Sequence, residues 1–423
     1  MMRAQLAKSL SSVVYLALVP ILCGCHDDGS KPPKSSSISP RISTTPSTTT
    51  SGASACLLAD AYGADPTGGI DSKPAVTSAL AALGGNGGCI QFGAGKYRFD
   101  SPLPYTFPAS APFSVSMFGA GQDATILYWP SGSGIVYNMS NSRHSFHFSS
   151  LTFSTGGRGG TTAVFAQNSV QEGNFGQNDF SRVTFRGDDG GQASQYWGFG
   201  VYLSGVSNAL FDGNLFYGEA TGNLGVGLSV NGVASGGNKY GIVYNVSNTG
   251  FFNEGVGFQY GPYIQGVQIS NTNFTNGNTG IYSPPGQAGV LSQLSVTNSQ
   301  FNTSANQINL GTEIDQVSLS NNYFYVSAGN TGVLCTRCAG LTALGNNFTY
   351  DNPMKSGQNA IIIGTVVNNQ PSVISGNTFQ GQTTAIWLQT ASTNVTVLGN
   401  AYVNNITNVT NNGTGNSIGV ATP

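Results

Sequence analysis

Charge is scarce in this chain. Of its 423 residues only 8% are Asp, Glu, Lys or Arg, and the formal net charge is −2. Neutralising phosphates takes clustered Lys and Arg, so no nucleic-acid partner is expected. Long amphipathic helices spend Glu, Lys and Arg on their wet faces, so a mainly helical architecture is disfavoured as well. Histidine is rarer still, with three in all, and there are six cysteines. Cys335-Thr336-Arg337-Cys338 has no second Cys/His pair beside it, which argues against a zinc site. Low charge does not mean disorder here, because 39% of the residues are hydrophobic. The wet surface must then be Asn, Ser, Thr and Gly (59 glycines), the residues of turns and strands.

The N-terminus reads as an export signal. Arg3 and Lys8 supply positive charge, and Val13 to Leu22 is an apolar run too short for a comfortable membrane span. It ends in Leu22-Cys23-Gly24-Cys25, which resembles the lipobox of bacterial lipoproteins. That resemblance implies cleavage before Cys25, lipidation of Cys25, and an exported protein anchored at the outer membrane or cell surface. Residues 26–55 are rich in Ser, Thr and Pro and cannot bury enough surface to offset their ordering entropy. They are expected to be a disordered tether, spanning on the order of 30 Å. Residues 56–423 remain for one folded domain. In an oxidising compartment Cys56 and Cys89, which flank its first segment, are a possible disulfide. Cys335 and Cys338 read as a local bridge or as two plain thiols, since no helix follows to depress a thiol pKa.

One helix is expected. Asp71 or Ser72 caps it, Pro74 suits its first turn, and Val76, Ala79, Leu80 and Leu83 share a face. Beyond it a unit recurs: alternating apolar residues, one or two Asn, then an aromatic. Val267-Gln268-Ile269-Ser270-Asn271-Thr272-Asn273-Phe274 is one copy, and Leu294 to Phe301 and Val317 to Phe324 are others. Degenerate copies end at Phe153, Phe185, Phe216, Phe252, Phe348, Phe379 and Tyr402, at intervals of about 22 to 36 residues. Period-two alternation turns one face of a short strand inward, Asn tolerates a left-handed corner, and stacked aromatics fill the interior. Such a unit buries its face only against its neighbours, so many coils make one quasi-linear core.

At these residues the chain resembles a known superfamily, the pectate-lyase-like right-handed parallel β-helices, which include tailspike-like and glycoside-hydrolase-family-28-related proteins. The resemblance rests on Asp60-Ala61-Tyr62-Gly63-Ala64-Asp65, Asp71-Ser72-Lys73-Pro74-Ala75-Val76 and Gly87-Gly88-Cys89-Ile90-Gln91-Phe92-Gly93-Ala94-Gly95-Lys96-Tyr97. It continues in Phe118-Gly119-Ala120-Gly121, in Thr125-Ile126-Leu127, and through the Asn–aromatic coils to about Tyr402. Two positions depart from the pattern. The paired acids before the helix are here Asp71-Ser72, and Gly93 replaces a usual proline. The resemblance implies an all-β solenoid with a short N-terminal capping helix and polysaccharide as partner. A homotrimer is possible by that analogy alone.

Superfamily hydrolase signatures of the Asn-Thr-Asp and Gly-His-Gly type are missing. Candidates therefore come from outward positions. If Phe146, Phe148, Asn178, Phe180, Ala209 and Phe211 point inward, the positions between them carry His147, Asp179 and Leu210, and the next outward positions carry Ser149, Ser181 and Asp212. The expected catalytic set is Asp179, Asp212, Arg182 and Glu219. The expected substrate-binding set is Tyr196, Trp197, Asp188, Asp189 and His147, with Arg186 and Tyr217 nearby. Paired carboxylates serve a hydrolase as acid and base, whereas a lyase would hold Ca²⁺ and use Arg or Lys as base. The reading is a hydrolase or lyase of an extracellular or cell-surface glycan. Its alternative is a non-catalytic glycan-binding or adhesin-like surface lipoprotein.

Overall fold

A computed structural model describes residues 56–419 except 110–111, 171–175, 191–193, 234–240, 288–291, 351–355 and 368–369. Cys25, the signal and the tether lie outside the described residues. The domain is a right-handed parallel β-helix with almost no helix beyond its opening segment. A typical coil runs Val317–Ser320, an Asn corner, Tyr323–Tyr325, a loop, then Thr331–Cys338. Each strand pairs in parallel with its counterpart one coil on, as Val317 does with Leu341 and Phe324 with Phe348. The three strand positions build three walls. The first two share a sheet, because His144–Thr155 and Asn178–Gly187 each bend through the first corner as one strand. The third wall has twelve strands among the described residues.

The corner explains the Asn of the repeat. Asn248, Asn271, Asn298 and Asn321 hold φ between 49° and 55°, and Gly213, Gly345, Gly376 and Gly399 occupy the same position in other coils. Asn and Gly adopt that left-handed backbone at least cost. The residue after the corner turns inward. There Asn346 accepts the Asn322 backbone N–H at 3.0 Å and donates to Asn377 Oδ1 at 2.9 Å, and Asn377 in turn accommodates Asn400. This ladder satisfies buried polar groups that the tight turn would leave orphaned.

Beside it runs an aromatic column from Phe153 through Phe185, Phe216, Phe251, Phe274, Phe301, Phe324, Phe348 and Phe379 to Tyr402. Its ring centroids are 4.5 to 5.6 Å apart. One repeat end needs correcting. Phe251, not Phe252, enters the column, because it stands three residues past the corner Asn248, as Phe274 does past Asn271.

The first coil is closed by the helix Lys73–Ala81, whose Ala75, Val76, Ala79 and Leu80 are buried. Asp71 Oδ1 accepts the Lys73 N–H at 3.0 Å, and the buried Ser72 hydroxyl accepts the Asp65 N–H at 3.0 Å. The motif residues of the opening segment thus do structural work: Tyr97 donates to Asp60 at 2.8 Å, and Thr125 Oγ1 to the Gly93 carbonyl at 2.6 Å. Cys56 is bonded to Cys89, which clips the strand Leu57–Leu58 to Gly87–Gln91. Cys335 and Cys338 are also joined, each 1% exposed, and so are placed in the core rather than at a surface where a thiol could react. Among the described residues, no helix is long and apolar enough to cross a membrane.

Candidate functional site

Strand alternation places one outward row on the first wall as Ser116, His147, Asp179 and Leu210, and the next as Ser149, Ser181, Asp212 and Ser247. Asp179 and Asp212 are therefore one coil and two residues apart, a Cα separation of about 8 Å. Their environments differ. Asp179 is partly buried, and its Oδ1 is shielded with no hydrogen-bond partner. Burial first, and the Asp212 charge second, push its carboxyl up to about 6. Asp212 instead accepts from Ser247 Oγ and from Asn248 Nδ2, both at 2.8 Å. His147, next to Asp179 in the row, is pushed down by burial and so favours the neutral imidazole at pH 7.

Arg182 sits at the corner between the first and second walls. Its φ of 54° is the left-handed backbone that the coils on either side give to Ser150 and Gly213 and that most later coils give to Asn or Gly. It is exposed and makes no hydrogen bond or ion pair among the described residues. It reaches across the next coil, where a Cβ on Gly213 would lie 3.3 Å from Arg182 Cγ. A bulky residue held in this conformation costs about 1 kcal/mol, a strain that local packing does not explain.

Past that corner, the second wall carries a cleft of about 640 Å³ lined by Asp123, Thr184, Arg186, Asp188, Leu215 and Tyr217. Arg186 Nη2 is 3.0 Å from Asp123, and Lys96 Nζ is 2.7 Å from Asp188 and 3.9 Å from the centre of the Tyr128 ring. Tyr217 stacks on Phe252 at 5.1 Å, and burial, then the Asp123 charge, push its phenol up. Asp123, Lys96 and Tyr128 were not among the sequence candidates. No local signal marks them, because Asp123 meets Arg186 only through pairings that bridge 63 residues.

Other expected residues do not join these groups. Trp197 is 2% exposed, and its Nε1 donates to the Phe153 carbonyl at 3.2 Å; it packs edge-on to Trp129 and has no free face for a sugar. Tyr196 lies over Gly159, where a Cβ would fall 2.6 Å from its Oη, so its ring is taken up by backbone. Glu219 stands beyond the second wall, and its carboxylate accepts the Gly222 N–H to close a local turn. Asp189 accepts the Ser194 and Gln195 N–H groups, which shapes its loop, and it does line the cleft beside Asp188. Asp188 does line the cleft, although its charge is matched by Lys96.

A lyase would need acids free for Ca²⁺. Among the described residues no three His, Cys, Asp or Glu side chains are grouped to hold a metal ion, and Asp188 and Asp189 are already engaged.

No family model and no curated protein sequence matches the chain. Similar solved structures include the tailspike protein of Acinetobacter phage vB_ApiP_P1, with TM-score 0.55 and 12% identity over 80% of this chain and 59% of that one. The N-terminal fragment of bacteriophage Phi29 gene product 12 gives TM-score 0.53 and 12% identity over 82% of this chain and 66% of that one. The Dettilon tailspike protein gives 0.51 and 12% over 82% and 68%. What they share with this chain is the fold. At such identities no residue role transfers from them.

Proposed function

We propose that the protein binds polysaccharide across the first and second walls and hydrolyses a glycosidic bond, with Asp179 as general acid and Asp212 as its carboxylate partner. The observation that carries this reading is the split between the two acids. One is half-buried, unpartnered and raised to about 6, and the other is held by two donors in the next coil. Two carboxyls in such different settings can serve as a proton donor and as its carboxylate partner. The unpaired Arg182 at the corner joins this row to the aromatic and charged cleft, giving an extended surface for a polymer. Lipidation at Cys25 and a tether over 26–55 would set that surface outside the cell, where such polymers occur.

The test is a panel of neutral and acidic polysaccharides, assayed for new reducing ends and for unsaturated-uronate absorbance, with and without Ca²⁺. Reducing ends without unsaturation are expected. Asp179→Asn and Asp212→Asn should each lower kcat at least about 100-fold while leaving polymer binding nearly intact. Unsaturated products would make the protein a lyase. Binding without either product, across the whole panel, would leave it an adhesin.

A further inference from the structure

A separate hollow of about 340 Å³ lies on the third wall toward the C-terminal end, lined by Thr365, Trp387, Gln389, Thr390 and Asn412 among others. It is seven strands along that wall from Phe199–Ser204, the strand that follows Asp179. At one coil spacing per strand this is on the order of 30 Å from the acid pair.

Alternation along Thr384–Leu388 turns Ile386 and Leu388 into the core and Trp387 out, in an outward row that reads Leu334, Ile362, Trp387, Thr410. The indole is partly exposed, yet its Nε1 is shielded from solvent and has no acceptor. A shielded donor without a partner is a cost to the fold that a ligand's acceptor would remove. The polar side chains around it, Thr365, Gln389, Thr390 and Asn412, make no hydrogen bond among the described residues and carry no charge.

From this geometry we propose a second, non-catalytic carbohydrate subsite on the third wall, specific for a neutral sugar. A pyranose offers what the hollow lacks: an apolar face for the indole, an oxygen to accept the Nε1–H, and hydroxyls for the four neutral side chains. The lining itself carries no cation for an anionic residue, and Arg337, cross-strand from Thr365, is paired with Glu313 at 3.3 Å. A chain held here and at the acid pair is bound at two points, which raises its effective concentration at the acids. The subsite rests on its own residues and stands whether or not Asp179 is catalytic.

Trp387 can be read directly. The chain has three tryptophans, and Trp129 and Trp197 are 0% and 2% exposed, so ligand-induced fluorescence change reports Trp387. The full chain is titrated with cellohexaose, maltohexaose, laminarihexaose, mannohexaose and xylohexaose, and with hexagalacturonate as the anionic control. At least one neutral probe should give a saturable change. Its affinity, measured by calorimetry, should fall at least about tenfold in Trp387→Ala and by a smaller factor in Trp387→Phe, which keeps a ring and loses the donor. Asp179→Asn should bind that probe at this subsite as the parent does, which separates the subsite from the hydrolase reading. No saturable change with any probe, or parental affinity in a folded Trp387→Ala, overturns the proposal. So does tighter binding of hexagalacturonate than of every neutral probe. Should Trp387→Ala fail to fold, Gln389→Ala carries the same comparison.

Discussion

Asp179 is where local chemistry departs furthest from what its residue type prefers. Its carboxyl titrates near 6 in the fold and at about 3.8 in an unfolded chain. Between those values the folded state keeps a proton that the unfolded state has released, so stability falls as pH rises from about 4 to about 6. Asp179→Asn removes that fall. Urea midpoints should show the variant gaining on the parent between pH 4 and pH 7 by about 1 kcal/mol, a figure discounted for the partial exposure of the group. Parallel pH profiles would mean that the carboxyl is not perturbed. If Asp179 is the general acid, turnover should fall above pH about 6 as the proton is lost. Arg182 poses the complementary question. Arg182→Gly relieves the left-handed strain of about 1 kcal/mol but adds about 0.5 to 1 kcal/mol of chain entropy, so it should stabilise the domain by at most about 0.5 kcal/mol. The same change should weaken polymer binding several-fold if the strained guanidinium is held there for the glycan. A stabilised variant with unchanged binding would leave Arg182 without a functional role.

At the scale of the element, the coil is built around its corner. Asn346 is 1% exposed, accepts from both Asn322 nitrogens and donates to the Leu319 carbonyl at 2.9 Å. Asn346→Ala would strand several buried groups at once, in this coil and the one before it. A loss of about 2 to 3 kcal/mol is expected from denaturation midpoints. A loss below about 0.5 kcal/mol would show that water or a shifted turn replaces the ladder readily. The aromatic column next to it is less particular about identity, since Tyr402 ends it with a phenol in place of Phe. Shape fills that column, whereas the ladder depends on donors and acceptors in fixed places.

At the scale of the molecule, each coil rests on the next, and the ends need separate provision. The N-terminal end has the helix Lys73–Ala81 and the Cys56–Cys89 bond. The segment before it carries the proposed anchor. Cys25→Ser should move the protein from the membrane to the soluble fraction while leaving the folded domain intact, as judged by fractionation and circular dichroism. Continued membrane association in that variant would remove lipidation as the anchor.

The sequence alone was enough for the solenoid. Alternating Val267-Gln268-Ile269 leaves Gln268 exposed and Ile269 1% exposed, and the same two-residue period carried the first-wall register of His147, Asp179 and Asp212. A repeat states its own contacts, because each coil meets a near-copy of itself. The cleft was not legible in this way. Asp123, Lys96 and Tyr128 belong to no repeat, and their partners lie in other coils at distances set by loop length. Nor could composition separate Trp197 from Trp387. Both are tryptophans in a charge-poor chain, and only the phase of the strand and the loop above it buried one and left the other partly open. The sequence determined which residues alternate. The tertiary structure decided which side of each wall remained open, because that depends on loops whose packing follows no period.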